Sequence, residues 1–483
     1  MASQIGEKPR SVAQRIPQHN LESMSQRALR PLPLPPDPSV LREVPRLEAA
    51  LNGTGPALLP HAVDTPPPAH LGPDAPLAPE EDDPDDPTVA VLCTSGSTGT
   101  AKGILLPASA LLASASATHD RLGGPGRWLL ALPAHHVAGW QVLVRSLVAD
   151  RTPVVLDLSG GFHPEAFAEA ARALRGPRRY TSLVPTQLVR ILNAGRDVLR
   201  ALTGLDAVLV GGAGLPADLR ERAEAAGVPL VATYGMTETC GGCVYDGRPL
   251  DGVDIRLEPT ADAEPGRVFL AGPVLARGHR AFHHDGLPVP TGTAIPPRAF
   301  GDGAHALLPS PGELPSSGLI TTSPSPDGLF AIDPFLTGPD GRRWLRTDDL
   351  GLWRAERLHL VGRIDDLIVT GGLKVAPALV EAALLELPGI REVVVVGVDD
   401  PHWGQRVVAC LVPAAGSRTP SEAEVRAQVR DRVAAHAAPR QVLRLEAIPL
   451  CGPGKPDRRA LAAQARAALA RAAGTAGGTA DSP

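Results

Sequence analysis

The sequence predicts an α/β protein. A large N-terminal domain of layered helices and mostly parallel sheets leads into a small C-terminal α+β domain. Three observations carry this expectation. From Val89 onward, short apolar runs alternate with Ala/Arg/Glu-rich helical segments, the signature of strands crossed over by helices. The loop Tyr234–Thr239 directly follows one apolar run, and open α/β sheets bind ligands at such strand ends. After Arg363 a second set of strands and helices begins, about 100 residues long and therefore large enough to be a domain.

Residues 1–38 read as a disordered leader, because Pro31-Leu32-Pro33-Leu34-Pro35-Pro36 cannot form a helix or an inner strand. The Pro- and acid-rich stretch from Thr65 to Pro87 reads as a solvated linker. Within the large domain, residues 39–362, strands are expected at Trp128–Leu132, Pro153–Leu156, Ala207–Val210 and Pro229–Ala232, and helices at Pro164–Arg175 and Pro216–Ala226. Residues 283–340 are dense in Pro, Gly and Ser with no sustained period and read as a surface insertion. In the small domain, residues 363–470, helices are expected at Pro377–Glu386 and Glu422–Ala437, and strands at Glu392–Val398 and Val407–Val412. The Ala/Gly-rich residues 471–483 read as a disordered tail.

Composition narrows the function. The 483 residues suffice for two or more domains with a real core. A hydrophobic fraction of 43% with 20% charged residues fits a soluble globular chain. A net charge of -5 gives no field that draws nucleic acid or an anionic membrane. No apolar run reaches the length of a membrane span, and the polar stretch Met1–Arg30 lacks a secretory core. Five cysteines, an odd number in so long a chain, make no disulfide framework; a reducing cytoplasm is the natural setting. Nothing in the composition sets the oligomeric state, and a homo-oligomer stays open.

Four lysines stand against 43 arginines. Abundant Ala, Arg, Gly and Pro point to GC-rich codons, which accounts for the bias but not for where the lysines lie. Lys102, Lys374 and Lys455 each sit in a short glycine-containing loop. Lysine is a compact point charge on a flexible stem, arginine a planar fork.

Lys102 closes the run Thr94-Ser95-Gly96-Ser97-Thr98-Gly99-Thr100-Ala101-Lys102-Gly103, flanked by apolar segments. Strand, polyanion-binding turn, strand is the reading: glycines let backbone N–H groups converge on phosphate, and hydroxyls add donors. The spacing excludes a Walker A loop, since Ala101 precedes the lysine and Gly103 follows it. The competing reading is a flexible Ser/Gly turn. In Tyr234-Gly235-Met236-Thr237-Glu238-Thr239, Glu238 offers a hard oxygen for Mg²⁺ and Tyr234 a face for a base; a plain strand-end turn competes. Arg346-Thr347-Asp348-Asp349, Gly362-Arg363-Ile364-Asp365-Asp366 and Thr370-Gly371-Gly372-Leu373-Lys374 place paired acids near glycines. They suit a sugar diol or a metal, or a hairpin turn with solvated acids. Gly452-Pro453-Gly454-Lys455-Pro456 holds a lysine on a stiff turn. Cys240-Gly241-Gly242-Cys243 resembles half a metal site but lacks a second ligand pair.

Together these motifs resemble the adenylate-forming acyl-CoA synthetases, the superfamily that also holds luciferase and peptide-synthetase adenylation domains. Its phosphate loop is matched from Thr94 to Gly103 with Ala101 in place of proline. Its Y-G-x-T-E motif is Tyr234 to Glu238. Its T-G-D motif is Thr347–Asp349, with Asp348 in place of glycine. Its hinge is Gly362 to Asp366, and its P-x-G-K motif is Gly452 to Lys455, with Gly452 in place of proline. The resemblance spans about residues 40 to 465. Within the superfamily, Leu132–Gly139, Ser182–Leu188 and Tyr234–Gly247 resemble the 2-succinylbenzoate–CoA ligases of menaquinone biosynthesis. Alternatives are a ligase for another aromatic or fatty acid, an enzyme loading a carrier protein, and a non-catalytic nucleotide sensor.

The resemblance implies a carboxylic acid, ATP and coenzyme A as substrates, with Mg²⁺. Thr94, Ser95, Gly96, Ser97, Thr98, Gly99 and Lys102 would hold the β- and γ-phosphates. Gly211, Gly212, Ala213, Tyr234 and Gly235 would frame the adenine. Thr237 would contact the α-phosphate and Glu238 would hold Mg²⁺. Asp349 and Arg363 would bind the ribose, and Lys455 would bridge carboxylate and α-phosphate. The small C-terminal domain would be mobile, rotating about the hinge that Asp365 matches, and the Gly371–Gly372 loop would line the pantetheine channel after rotation. His136, Ser182 and Thr186, with Gln187, would line the acyl pocket.

Overall fold

The computed structural model describes residues 27–95, 101–258, 265–280, 334–338, 340–414, 416–451 and 455–476. The chain divides into two compact units. The first comprises residues up to Gly212, Glu221–Ile255 and Phe269–Arg346; the second comprises Ala213–Arg220, Arg256–Val268 and residues from Thr347 onward. Both mix helices with sheets, as the alternation of apolar runs predicts.

The first unit begins with strands β1 (Leu29–Leu34), β2 (Ala57–Ala62), β3 (Thr88–Ser95) and β4 (Ala101–Pro107). β1, β2 and β3 run parallel, and β4 returns antiparallel to β3. The disordered leader expected up to residue 38 is corrected here: β1 lies at the sheet edge, with Leu29, Leu32 and Leu34 buried. Proline bars inner strands, yet an edge strand pairs on one side only and tolerates it. Residues 1–26 lie outside the described residues.

The solvated linker is corrected as well. Leu71, Leu77 and Glu81 of the 65–87 stretch are all buried, and Leu71 and Leu77 join the cluster of Leu29, Leu59, Val91 and Leu105. Backbone bonds from Leu77 N to Arg27 O and from Asp74 N to Leu29 O tie it down. A few large apolar side chains among the prolines are enough to bury the segment.

A second sheet collects β5 (Arg127–Leu130), β6 (Val154–Val155), β7 (Arg179–Leu183), β8 (Ala207–Val210), β9 (Leu230–Met236), β10 (Gly241–Tyr245) and β11 (Arg248–Pro249) in the order β11–β10–β9–β8–β7–β5–β6. Pairing is parallel from β6 to β9 and antiparallel at β10 and β11. β8 is buried at every position, as parallel strands covered on both faces must be. β9 runs four residues beyond the expected Ala232, so Tyr234 and Gly235 belong to the strand. Among the helices are α1 (Val44–Leu51), α2 (Ala108–Arg121), α3 (Val137–Val148), α4 (Pro164–Ala173), α5 (Pro185–Asn193), α6 (Arg196–Thr203) and α7 (Ala217–Ala225).

Next come β12 (Asp254–Glu258), β13 (Gly266–Ala271), β14 (Gly278–Arg280), β15 (Phe335–Thr337), β16 (Arg343–Arg354) and β17 (Arg357–Arg363). β14 joins the first sheet antiparallel to β4. Most of the expected insertion lies outside the described residues, but its end is a strand: β15 pairs with β16, Phe335 opposite Leu345.

In the second unit, β16 and β17 form a hairpin. Strands β18 (Ile368–Thr370) and β19 (Leu373–Val375) turn at Gly371 and Gly372, both left-handed, the conformation a two-residue hairpin demands. Then follow α8 (Pro377–Leu385), β20 (Ile390–Asp400), β21 (Gly404–Pro413), α9 (Glu422–Arg432), β22 (Gln441–Arg444), β23 (Leu450–Cys451), β24 (Lys455–Pro456) and α10 (Arg458–Ala476). β20 buries both faces. Val393 and Val395 pack with Val380, Leu384, Val425 and Val429, while Val394, Val396 and Val398 pack with Leu461 and Ala465. Period-two alternation between two helical layers accounts for its unbroken valine run. α10 continues past residue 470 to Ala476, correcting the start of the tail; residues 477–483 lie outside the described residues.

Candidate active site

The segment expected to bind phosphate forms the β3–β4 pair, with Thr94 opposite Lys102 and Ser95 opposite Ala101. The two expected strands are therefore observed and pair antiparallel. Gly96, Ser97, Thr98 and Gly99 lie outside the described residues. Gly103 permits the hairpin to sit against the core: a Cβ there would stand 2.8 Å from Val91 Cγ1 and 2.9 Å from Leu71 Cδ2.

β9 delivers the second element. It ends in a single 3₁₀ turn, Thr237–Thr239. Thr239 Oγ1 accepts from Met236 N at 2.9 Å and donates to Gly241 O at 2.7 Å. The next residue, Cys240, is left-handed, and its carbonyl accepts from Ser114 Oγ of α2 and Gln141 Nε2 of α3. The turn carrying Glu238 is thus fastened to two helices. Gly235 is required beside it, because a Cβ would fall 2.1 Å from Gly241 O. Burial pushes the Thr239-bonded Cys243 thiol up to about 12 and raises Cys240 too. Both are core residues.

Glu238 Oε1 lies 3.5 Å from His279 Nε2, and both side chains are about one-fifth exposed, 19% and 20% respectively. Burial pushes the Glu238 carboxyl upward, but His279 and then the charge of Lys102 outweigh it and hold it below the usual carboxylate range. It is ionised at neutral pH. The Glu238 carbonyl accepts from Ala276 N at 2.8 Å. Thr237 is buried in the same turn.

The expected adenine and acyl positions are placed as follows. A Cβ on Gly211 would stand 2.2 Å from Thr233 Oγ1, and Gly212 is left-handed at φ +79°. Tyr234 sits on β9 opposite Val244. Ala213 belongs to the second unit. His136 caps α3: its N donates to Pro133 O and its O accepts from Trp140 N. Its ring lies 4.4 Å from that of His135. Burial, then the neighbouring His136 and His61, push His135 down to about 4. Ser182 is buried in β7 and Thr186 is partly exposed in α5. Gln187 is engaged by backbone, accepting from Val184 N and donating to Ala131 O.

In the second unit, the β16–β17 hairpin places Asp349 directly opposite Arg363. Arg363 grips Asp365 with two bonds of 2.8 Å and approaches Asp349 at 3.5 Å and Asp348 at 3.9 Å. Asp348 also pairs with Arg267 at 3.3 Å. The Asp349 backbone is held by Thr347 Oγ1, itself bonded to Val268 O. Asp366 pairs instead with Arg458 at 3.4 Å, which also holds Glu381. Lys455 lies in β24 opposite Cys451; Gly452–Gly454 lie outside the described residues. Lys374 is exposed on β19.

Residues 34–279 match the AMP-binding enzyme family, and residues 379–455 match the AMP-binding enzyme C-terminal domain. The chain belongs to the AMP-binding enzyme family. This AMP-binding enzyme is 39% identical over 436 residues to a probable 2-succinylbenzoate–CoA ligase from Mycobacterium tuberculosis, spanning 90% of this chain and 97% of that protein. It is 33% identical to an indoleacetate–CoA ligase from Aromatoleum aromaticum, spanning 86% and 77%. Its fold is shared with the o-succinylbenzoate CoA synthetase of Bacillus subtilis solved with its acyl-adenylate intermediate, at a TM-score of 0.58 and 23% identity, covering 87% of this chain and 80% of that one. The AMP-binding enzyme is thus an AMP-forming acid–CoA ligase, with ATP, coenzyme A and a carboxylic acid as small-molecule substrates. Among the described residues, no helix is long and apolar enough to cross a membrane.

Sequence reasoning picked out Lys102 and Glu238, which the first unit couples, and Asp349, Arg363 and Asp365, which the second unit clusters. It missed His279. That residue lies in no glycine-rich motif, and only the pairing of β14 with β4 shows where it stands.

Proposed function

We propose that this enzyme converts 2-succinylbenzoate to 2-succinylbenzoyl-CoA in menaquinone biosynthesis. Supporting this choice of acid is the 39% identity to the mycobacterial protein, sustained over almost the full length of both chains. The His135–His136 segment, Ser182 and Thr186 furnish polar groups for an acid with two carboxylates.

In the first half-reaction a carboxylate oxygen attacks the α-phosphorus of ATP, forming the acyl–phosphate bond and breaking the bond to pyrophosphate. In the second, the coenzyme A sulfur attacks the acyl carbon, the thiol loses its proton and AMP leaves. Positioning and charge neutralisation carry most of the first step. The Thr94–Lys102 hairpin grips the departing pyrophosphate, and Thr237 contacts the α-phosphate. Gly211, Gly212, Ala213, Tyr234 and Gly235 frame the adenine, and Asp349 with Arg363 holds the ribose. Lys455 neutralises charge between carboxylate and α-phosphate. A single ionised carboxylate, Glu238, fits Mg²⁺, which takes one or two protein carboxylates and fills its remaining positions with phosphate and water. Bound there, the ion would offset phosphate charge. Residues 39–362 act as the nucleotide-binding domain and 363–470 as the lid, turning at Asp365.

Pyrophosphate release over a panel of carboxylic acids, with and without coenzyme A, tests the reading. Release with 2-succinylbenzoate and thioester only when coenzyme A is present are expected. Strong release with a fatty or simple aromatic acid, and none with 2-succinylbenzoate, overturns the substrate.

A further inference from the structure

Among the described residues, His279 Nε2 is a buried nitrogen that meets no hydrogen-bond geometry, and it faces Glu238 Oε1 at 3.5 Å. Buried polar atoms are normally satisfied, and an exception calls for a reason. The imidazole is not loose. β14 pairs with β4 so that His279 lies opposite Ile104, two residues beyond Lys102. The ring meets Phe335 edge-on, centroids 5.8 Å apart. The following residue, Arg280, has no exposed side-chain surface, pairs with Glu81, and donates to Leu71 O and Pro76 O. A rigid frame therefore presents one unsatisfied nitrogen to one carboxylate oxygen, and a shift of a few tenths of an ångström closes a charge-assisted hydrogen bond.

We propose that His279 is a positioning residue for Glu238: it holds one carboxylate oxygen and so presents the other to the magnesium ion that accompanies ATP. The inference rests on the assignment of Glu238 above. Groups that orient a ligating carboxylate change metal affinity by about ten- to a hundredfold when removed.

The test is calorimetric titration of ATP, in magnesium and in EDTA, without carboxylic acid so that nothing turns over. His279→Phe keeps the ring contact with Phe335 and removes the nitrogen. It should bind ATP in EDTA as the parent does and lose about tenfold of the gain that magnesium brings. His279→Gln, which restores a donor, should recover most of that gain. The magnesium needed for half-maximal pyrophosphate release should rise in His279→Phe alone of the two. Parent-like magnesium-dependent binding by His279→Phe overturns the inference, as does a His279→Gln variant no better than His279→Phe. Glu238→Gln separates the two levels. If it keeps the full magnesium gain, the magnesium assignment fails and this inference with it. If it loses the gain while His279→Phe keeps it, only the role of His279 fails.

Discussion

Glu238 of the first unit and Asp349 of the second both stand on strands or at their ends, yet they meet charge differently. Glu238 has His279 at 3.5 Å and feels Lys102 from farther off. Asp349 shares Arg363 with Asp348 and Asp365, and the guanidinium is pushed up by its bonds to Asp365 and by the other two acids. One carboxylate is half-buried, ionised and weakly neutralised, the state suited to a divalent cation. The other sits in a cluster already balanced by a planar cation, the state suited to accepting hydrogen bonds from a neutral diol. The two motifs look alike in the sequence, acids beside glycines; their partners separate them.

The largest expected effect probes what keeps the Glu238 side rigid. Glu81→Gln leaves the buried Arg280 guanidinium without its anion, and truncating one partner of a buried pair costs about 3–5 kcal/mol. Chemical denaturation should show that loss, with magnesium-dependent ATP binding weakened in the folded fraction. Undiminished stability would mean that β14 is not anchored by this pair. Lys455→Ala should lower adenylation roughly a hundredfold or more, while thioester formation from supplied acyl-adenylate persists. Equal loss in both halves would remove Lys455 from its assigned role. Asp349→Asn should raise the KM for ATP about tenfold with little change in kcat, the mark of uniform binding. A magnesium requirement altered in this variant would erase the contrast with Glu238.

The last effect concerns His119 of α2, which meets Trp128 of β5. Burial, then Arg145, hold His119 down to about 4, and it accepts from Trp128 Nε1. Unfolded, the imidazole takes a proton near its ordinary pKa, so between about pH 6.5 and pH 4 the unfolded state binds more protons. Stability should rise with pH across that window, by about 1.4 kcal/mol per unit from this group at most, and level off above it. His119→Gln keeps an acceptor for Trp128 and should flatten the acid limb of a stability-against-pH curve.

The antiparallel strands that end at Ser95 and begin at Ala101 were legible because the apolar runs that form them are local. So was β8, an apolar run buried at every residue, whereas the hairpin at Gly371–Gly372 stood only as the competing reading of its segment. Proline content misled for β1, since it forbids inner strands without saying whether an edge is free to pair, and for the 65–87 stretch, where Leu71 and Leu77 bury the chain despite it. Among site residues, Glu238 and Lys102 were named from their motifs, and Gln187 was offered as a pocket group although its amide serves the backbone.

By itself, the sequence determined the α/β class, the order of the nucleotide motifs and the type of each chemical group, because these depend on short-range spacing and on which residues tolerate tight turns. Only the tertiary structure decided which charges meet. Arg280 finds Glu81 across 199 positions, and His279 faces Glu238 because β14 adds to the edge of β4. The energy of a charge depends on its burial and its neighbours, and neither is written in local order.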